Sequence, residues 1–184
     1  MSEDLIIKHC SPTLAGIKTG SLFSCKCTSM QETLEAINKF NDILIPKGVK
    51  IQLLKFFGSR VLVYVYRPQK LEKDLSDKYT QTLLFGCGYR CAELNKCISR
   101  LKFRVNSYSE FPHEIGLFLG YPPEDVHGFI LNKGSGCKIS GYWKVYGDEE
   151  RALKMFKQFK KCSDIYYLKW LGGATISRLT VSSK

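Results

Sequence analysis

Two segments that lie far apart in the chain contain most of the side chains able to do chemistry. The first, residues 9–21, combines hydroxyls, glycines, a histidine, a cysteine and one lysine in a stretch that Pro12 and two glycines predict to be irregular. Irregular backbone can present amide N–H groups and a lysine to a phosphate or carboxylate. The spacing of a P-loop is absent. The ligand-binding candidates in this segment are His9, Ser11, Thr13, Lys18 and Ser21.

Cys10 is the candidate nucleophile of the first segment. It follows His9 directly, and an imidazolium close to a thiol lowers the thiol pKa and increases the thiolate fraction. Neighbours in sequence often point apart, however, and an ordered loop held by hydroxyl hydrogen bonds is the alternative interpretation.

The second segment, residues 111–128, contains the other two catalytic candidates, His113 and Glu114. Both fall in the first turn of a predicted helix, where the helix dipole favours the neutral form of a histidine and so suits a base or a ligand. The alternative is that His113 caps the helix and that Glu114 only complements the dipole. We expect this segment and residues 9–21 to form one shared pocket.

Two further places could contact a ligand, and Arg67 in particular an anion. Residues 141–148 place aromatic side chains and a lysine at the end of a predicted strand, and Arg67 ends another strand. An amphipathic strand with a purely structural role explains residues 141–148 equally well. The ligand-binding candidates here are Arg67, Lys144 and Tyr146.

The charge balance favours contact with an anionic partner, and a soluble lysine-rich surface without such a partner is the alternative interpretation. Lysine and arginine number 28 against 17 acidic residues, a net charge of +11 over 184 residues. Residues 111–128 have the outline of a helix-turn-helix, but Glu124 and Asp125 stand where a recognition helix would meet phosphates. A small anionic ligand is therefore the favoured partner, and nucleic acid is the weaker alternative.

The eight cysteines predict reduced thiols rather than a disulfide framework. The start of the sequence lacks the pattern of a signal peptide, and no apolar run is long enough to span a membrane, so we expect a cytoplasmic protein. Cys87, Cys91 and Cys97 do not have the paired spacing of structural zinc ligands, and no metal site is predicted. Cys91 falls on an apolar stripe, which favours a thiol in the core. An iron–sulfur or haem site is the minor alternative, and the cofactor is undetermined.

The periodicity of the sequence predicts alternating strands and helices. The clearest helix start is the pair Ser29 and Glu32, which have the spacing of a capping box. The first twenty residues are predicted to be irregular. The predicted elements are a strand at about 21–27, a helix from Ser29 to about 45, a hairpin at 49–57 and 61–66, helices at about 69–84, 90–103, 111–119 and 123–132, a strand at about 137–146, a helix at about 149–161 and a strand at about 174–181.

This order predicts an α+β fold of a single domain, residues 1–184, with a mixed or antiparallel sheet. It allows a ferredoxin-like core with a helical insertion at about 69–132.

Four stretches carry a resemblance to a known family. Residues 9–25, 63–68, 111–128 and 143–148 together resemble the DUF3793 family of bacterial proteins, mostly from anaerobes, which is known as a domain of unknown function. The resemblance extends over nearly the whole chain. It implies no activity and assigns no residue a role.

Three hypotheses for function follow. The first is a small-molecule or anion-binding domain, which could also be an enzyme, with a pocket formed by residues 9–21 and 111–128. The second is a non-enzymatic accessory protein in iron, haem or redox metabolism, which the number of thiols favours. The third is a nucleic-acid-binding module, which only the net charge supports. The substrate, the oligomeric state and the pathway cannot be derived from the sequence.

Overall fold

Two units share the chain in the computed structural model, which describes residues 1–90, 93–107 and 110–183. The first unit consists of Met1–Gln69 together with the chain from Phe159 onward, and the second unit consists of Lys70–Gln158. The predicted single domain with an insertion at about 69–132 stays a prediction, and the second unit runs well beyond residue 132.

A three-stranded antiparallel sheet forms the centre of the first unit. The strands are β1 (Gly20–Lys26), β2 (Lys50–Phe57) and β3 (Arg60–Tyr66), and they lie in the order β1-β3-β2, so that β3 separates β1 from β2. The strands predicted at about 21–27, 49–57 and 61–66 and the helix predicted from Ser29 are confirmed. The Ser29 hydroxyl caps this helix by accepting a hydrogen bond from the Glu32 amide. The elements of this unit are α1 (Glu3–Leu14), β1 (Gly20–Lys26), α2 (Met30–Leu44), a 3₁₀ turn (Ile45–Lys47), β2 (Lys50–Phe57), β3 (Arg60–Tyr66), the second half of α8 (Glu149–Leu171) and α9 (Ile176–Leu179).

The strand order is that of the first three strands of a ferredoxin-like core, but the fourth strand is missing from the described residues. The prediction of a strand at about 174–181 is wrong, because α9 occupies that position. The Thr175 hydroxyl caps this short helix by accepting from the Arg178 amide, and Ile176 and Leu179 are buried one turn apart. Four residues with two apolar side chains are too short to separate a strand from a helical turn by pattern alone.

The prediction that the first twenty residues are irregular is also wrong, because α1 occupies most of them. Ile6, Cys10 and Leu14 recur every four residues and are fully buried, which is the spacing of a helix face. Pro12 lies in the last turn of α1, where its missing N–H removes only one helical hydrogen bond. Proline was therefore a misleading signal for irregular backbone here.

The second unit is mostly helical. The predicted helix at about 69–84 is two helices, because the Asp77 carboxylate accepts from the Thr80 amide at 2.9 Å and starts a new one. The predicted strand at about 137–146 is a hairpin of two very short strands. The elements of this unit are α3 (Pro68–Leu75), α4 (Lys78–Gly86), α5 (Leu94–Ser107), α6 (Ile115–Phe118), α7 (Pro123–Leu131), β4 (Ile139–Ser140), β5 (Lys144–Val145) and the first half of α8.

The fold class is α+β with antiparallel sheets, as predicted. The helices predicted at 123–132 and 149–161 are present, although α8 continues to Leu171. Within the described ranges, no helix combines the length and the apolar composition that a membrane span requires.

Candidate functional site

A pocket of about 280 Å³ lies in the second unit, between α6, α7 and the β4–β5 hairpin. Its size suits a ligand of one or two rings, because pockets for larger organic ligands usually exceed about 300 Å³. It brings together two of the predicted candidates, His113 from residues 111–128 and Lys144 from residues 141–148. The side chains that determine its chemistry are His113, Tyr121, Asp125, Phe129, Trp143 and Lys144.

Aromatic rings form the walls of this pocket. The rings of Tyr121 and Trp143 stack with their centroids 4.9 Å apart. The ring of Phe156 packs edge to face against Trp143, with centroids 4.5 Å apart, and so gives the indole a second aromatic contact. Gly141 lies against the Phe156 ring so closely that a Cβ atom would overlap it, which explains why the hairpin carries a glycine there. Rings that support one another in this way form a rigid apolar surface suited to another flat ring.

Asp125 fixes the position of Trp143. Its carboxylate is 2% exposed and accepts three hydrogen bonds, from the indole Nε1 of Trp143 at 2.7 Å, from the Tyr146 amide at 2.7 Å and from the Gly147 amide at 2.8 Å. A buried carboxylate needs such donors to offset the loss of hydration. Asp125 therefore ties α7 to the end of the hairpin and sets the orientation of one pocket wall.

His113 and Lys144 both lie close to the ring of Phe129. The imidazole of His113 is 4.8 Å from the Phe129 ring, centroid to centroid, and the Lys144 ammonium is 5.8 Å from the centroid of that ring. Lys144 Nζ also donates to the Gly134 carbonyl at 2.6 Å. The ring nitrogens of His113 make no hydrogen bond within the part of the chain that the structure describes. Both side chains can therefore offer hydrogen bonds to a ligand.

The sequence indicated the aromatic residues of 141–148 as a candidate ligand site, but it did not identify Tyr121 as a wall or the role of Asp125. Pro123 and the two acidic residues after it indicated only a helix start, and nothing in the spacing relates Asp125 to an indole 18 positions later. Gly141-Tyr142-Trp143 was the available signal, since a glycine beside aromatics often marks close packing.

Glu114, a predicted catalytic residue, forms a separate buried cluster in the second unit. Its Oε1 accepts from Arg104 Nε at 2.5 Å and from the Tyr89 hydroxyl at 3.0 Å, and the residue is 2% exposed. Burial, and then the Glu114 charge, raise the pKa of Tyr89, which keeps its hydroxyl a donor. The two donors hold Glu114 as an acceptor, which suits a structural ion pair; a catalytic role stays a prediction.

Tyr146, a predicted ligand-binding residue, packs its ring against Gly128 rather than lining the pocket. Its hydroxyl is buried and has no hydrogen-bond partner among the described residues. Its backbone amide is one of the donors to Asp125.

In the first unit, Cys10 and Lys18 are buried near each other. Burial raises the pKa of the Cys10 thiol to about 12, although Lys18 and a hydrogen bond to Ser21 act against this rise. Burial lowers the pKa of Lys18 to about 8, and the Lys18 ammonium lies 6.0 Å from the Phe159 ring centroid. A thiol with so high a pKa has almost no thiolate at neutral pH, which weakens the case for Cys10 as a nucleophile.

The neighbouring hydroxyls bond within the first unit. The Ser11 hydroxyl donates to the Ile7 carbonyl one turn earlier in α1, and the Thr13 and Ser21 hydroxyls are 2.9 Å apart. All three residues are buried, whereas His9 is exposed and stacks on Phe23 with centroids 5.2 Å apart. Partial desolvation of its ring, and then the charge of Lys8, lower the pKa of His9.

The guanidinium of Arg67 donates hydrogen bonds mainly to backbone carbonyls. It donates to the carbonyls of Thr13 and Leu14 at 2.6 Å, to the Val181 carbonyl at 2.7 Å and to the Ser183 hydroxyl at 3.2 Å. The first two carbonyls are at the C-terminal end of α1, where helix carbonyls lack internal partners. Arg67 therefore satisfies the end of a helix and secures the C-terminal segment, and few of its donors remain for a ligand.

The shared pocket predicted for residues 9–21 and 111–128 stays a prediction, because the two segments belong to different units. Of the three catalytic candidates, His113 is the one that lines the pocket of the second unit. Over residues 1–90, 93–107 and 110–183, no group of three or more His, Cys, Asp or Glu side chains is placed to hold a metal ion. The predicted core thiol Cys91 lies outside the described residues.

Comparison with known proteins gives one match. The model of a family described as "Protein of unknown function (DUF3793)" matches residues 6–180. No curated protein and no solved structure matches the chain.

Proposed function

Because the chain belongs to the DUF3793 family, which carries no assigned activity, we propose its function from its own site: it binds a small planar molecule in the aromatic pocket of the second unit. One observation carries this proposal. The pocket wall formed by Trp143 and Tyr121 is held in place by the buried carboxylate of Asp125, which accepts a hydrogen bond from the Trp143 indole.

Three features support a ligand rather than a packing defect. The walls are aromatic, the volume suits one or two rings, and hydrogen-bonding side chains stand at the rim. Solvated aromatic walls cost free energy, and a flat ring that stacks on them removes that apolar area from water.

The position of Trp143 provides a direct test. The sequence contains two tryptophans, so the Trp170→Phe variant has a single indole N–H signal in a ¹H–¹⁵N spectrum, that of Trp143. We expect naphthalene-2-carboxylate to shift this signal in a saturable titration with a Kd of about 1 mM or tighter, which is ordinary for a probe of this size.

A matched pair of variants shows whether the pocket is responsible. Phe129→Ala removes part of the wall and should weaken binding about ten-fold, whereas Phe103→Ala truncates an exposed ring of α5 in the same unit and should leave the Kd unchanged. An indole signal that does not move at any probe concentration would contradict the proposal. So would equal weakening by the two variants.

The first hypothesis of the sequence analysis is thus favoured in a changed form, with residues 140–144 in place of residues 9–21 opposite residues 111–128. The cytoplasmic location stays a prediction.

A further inference from the structure

The Lys144 ammonium is placed to select the charge of whatever enters the pocket. One of its three N–H donors is directed to the Gly134 carbonyl, and the Phe129 ring faces it at 5.8 Å. The ammonium takes no carboxylate partner within the described residues. Two N–H donors therefore remain for an acceptor on the ligand.

The negative charge of the pocket is already compensated. Asp125 is the acidic residue that lines it, and both of its oxygens accept hydrogen bonds, one from the Trp143 indole and one from two backbone amides. A ligand cation would find no open carboxylate there. Aromatic walls alone could also hold a cation, but Lys144 already places a positive charge over the face of Phe129 and would repel it.

From this arrangement we infer that the pocket is specific for planar molecules that carry an anionic group, a carboxylate or a phosphate, and that Lys144 determines this specificity. The flat part of the ligand stacks against Trp143 and Tyr121, and its anionic group accepts charge-assisted hydrogen bonds from Lys144 Nζ. This inference rests on the proposed function, because it assigns a ligand class to the same pocket.

Three probes of equal shape test the charge preference. Naphthalene-2-carboxylate, naphthalene-2-carboxamide and 2-naphthylmethylammonium differ in charge, and each is titrated into the Trp170→Phe protein with the Trp143 indole signal as readout. We expect the carboxylate to bind about ten-fold more tightly than the amide and the ammonium compound to bind most weakly. Raising the salt concentration from 50 to 500 mM should reduce the preference.

The control for the positive charge comes from the same hairpin. Lys138 also donates its ammonium to a backbone carbonyl, that of Gly147, at 2.6 Å, but it does not line the pocket. Lys144→Met should reduce the preference for carboxylate over amide to about two-fold or less. Lys138→Met, which removes the same charge from the protein, should retain the ten-fold preference.

The outcomes separate the two proposals. If amide and carboxylate bind equally, if the ammonium compound binds most tightly, or if Lys138→Met has the same effect as Lys144→Met, the charge inference is wrong while the pocket stands as a binding site. If none of the three probes shifts the indole signal, the proposed function fails, and this inference fails with it.

Discussion

The indole N–H of Trp143 donates to the buried carboxylate of Asp125 at 2.7 Å, and through it the wall of the pocket is joined to α7. The same carboxylate accepts from two consecutive backbone amides, those of Tyr146 and Gly147. One side chain thus holds both the aromatic wall and the end of the hairpin.

Asp125→Ala should destabilise the protein by roughly 2–4 kcal/mol, because three donors lose their acceptor and two of them are backbone amides. Urea unfolding measures this cost. Asp148→Ala is the matched control: its carboxylate accepts one hydrogen bond, from the Arg151 amide at 3.0 Å, at an exposed helix start, and should cost about 1 kcal/mol. Equal costs for the two variants would show that Asp125 does not hold the hairpin.

The strands and the capped helix of the first unit could be predicted because each has a local cause. Ser29 and Glu32 stand three residues apart at the start of α2, and β3 contains a continuous run of aliphatic and aromatic residues that follows a turn. No local sequence signal predicts the pocket in this way. Asp125, Trp143 and Phe156 come from three separate elements, and only the folded chain brings them together.

The sequence-based prediction was also wrong about which basic side chains are accessible to a ligand. Lys18 was a candidate for binding an anion because it falls in a segment predicted to be irregular, and Arg67 because it ends a predicted strand. Both are buried instead, and the Arg67 guanidinium donates hydrogen bonds to backbone carbonyls of the first unit, such as those of Thr13 and Val181. Composition cannot reveal this, since the acceptors are backbone carbonyls that every residue has.

The pH dependence of stability should report the burial of Lys18. Its pKa is about 8 in the folded protein against an ordinary value of 10.5, so between these pH values the unfolded chain binds more protons than the folded one and stability rises with pH. Other groups act in the opposite direction above pH 9, because burial raises the pKa of the Cys10 thiol to about 12 and that of Cys162 to about 11.

The comparison with Lys18→Met isolates this contribution. Between pH 7 and pH 9, the free energy of unfolding of the wild type relative to that of Lys18→Met should increase by about 1 kcal/mol. Lys8→Met, a substitution of an exposed lysine in α1, should show no such change. A constant difference between wild type and Lys18→Met across this range would mean that Lys18 keeps its ordinary pKa in the folded protein.

Cys10 should be unreactive in the native protein. Its side chain is fully buried and burial raises its pKa, so iodoacetamide at pH 7.5 should leave it unmodified while the partly exposed Cys27 and Cys137 react. Peptide mass spectrometry after brief labelling identifies the modified sites. Addition of urea should make Cys10 reactive. Rapid native labelling of Cys10 would restore it as a candidate nucleophile.

Arg67→Lys should destabilise the first unit strongly, although lysine keeps the positive charge of arginine. Arg67 donates to three backbone carbonyls and one hydroxyl in a planar arrangement that one ammonium cannot reproduce, so the substitution loses most of these hydrogen bonds, two of which end on carbonyls of α1. We expect a cost of about 2–4 kcal/mol in urea unfolding. Amide hydrogen exchange should also accelerate at Val181, whose N–H donates to the Leu14 carbonyl at 3.0 Å beside the guanidinium.

Arg60→Lys is the matched control for this substitution. The Arg60 guanidinium donates to the carbonyl and hydroxyl of Ser24 at 3.1 and 2.7 Å across the open end of the β1–β3 pair, where water can replace both bonds. It should therefore cost less than about 1 kcal/mol and leave exchange at Val181 unchanged. If Arg67→Lys costs no more than Arg60→Lys, water or the lysine satisfies the end of α1, and Arg67 returns to the set of residues that could serve a ligand.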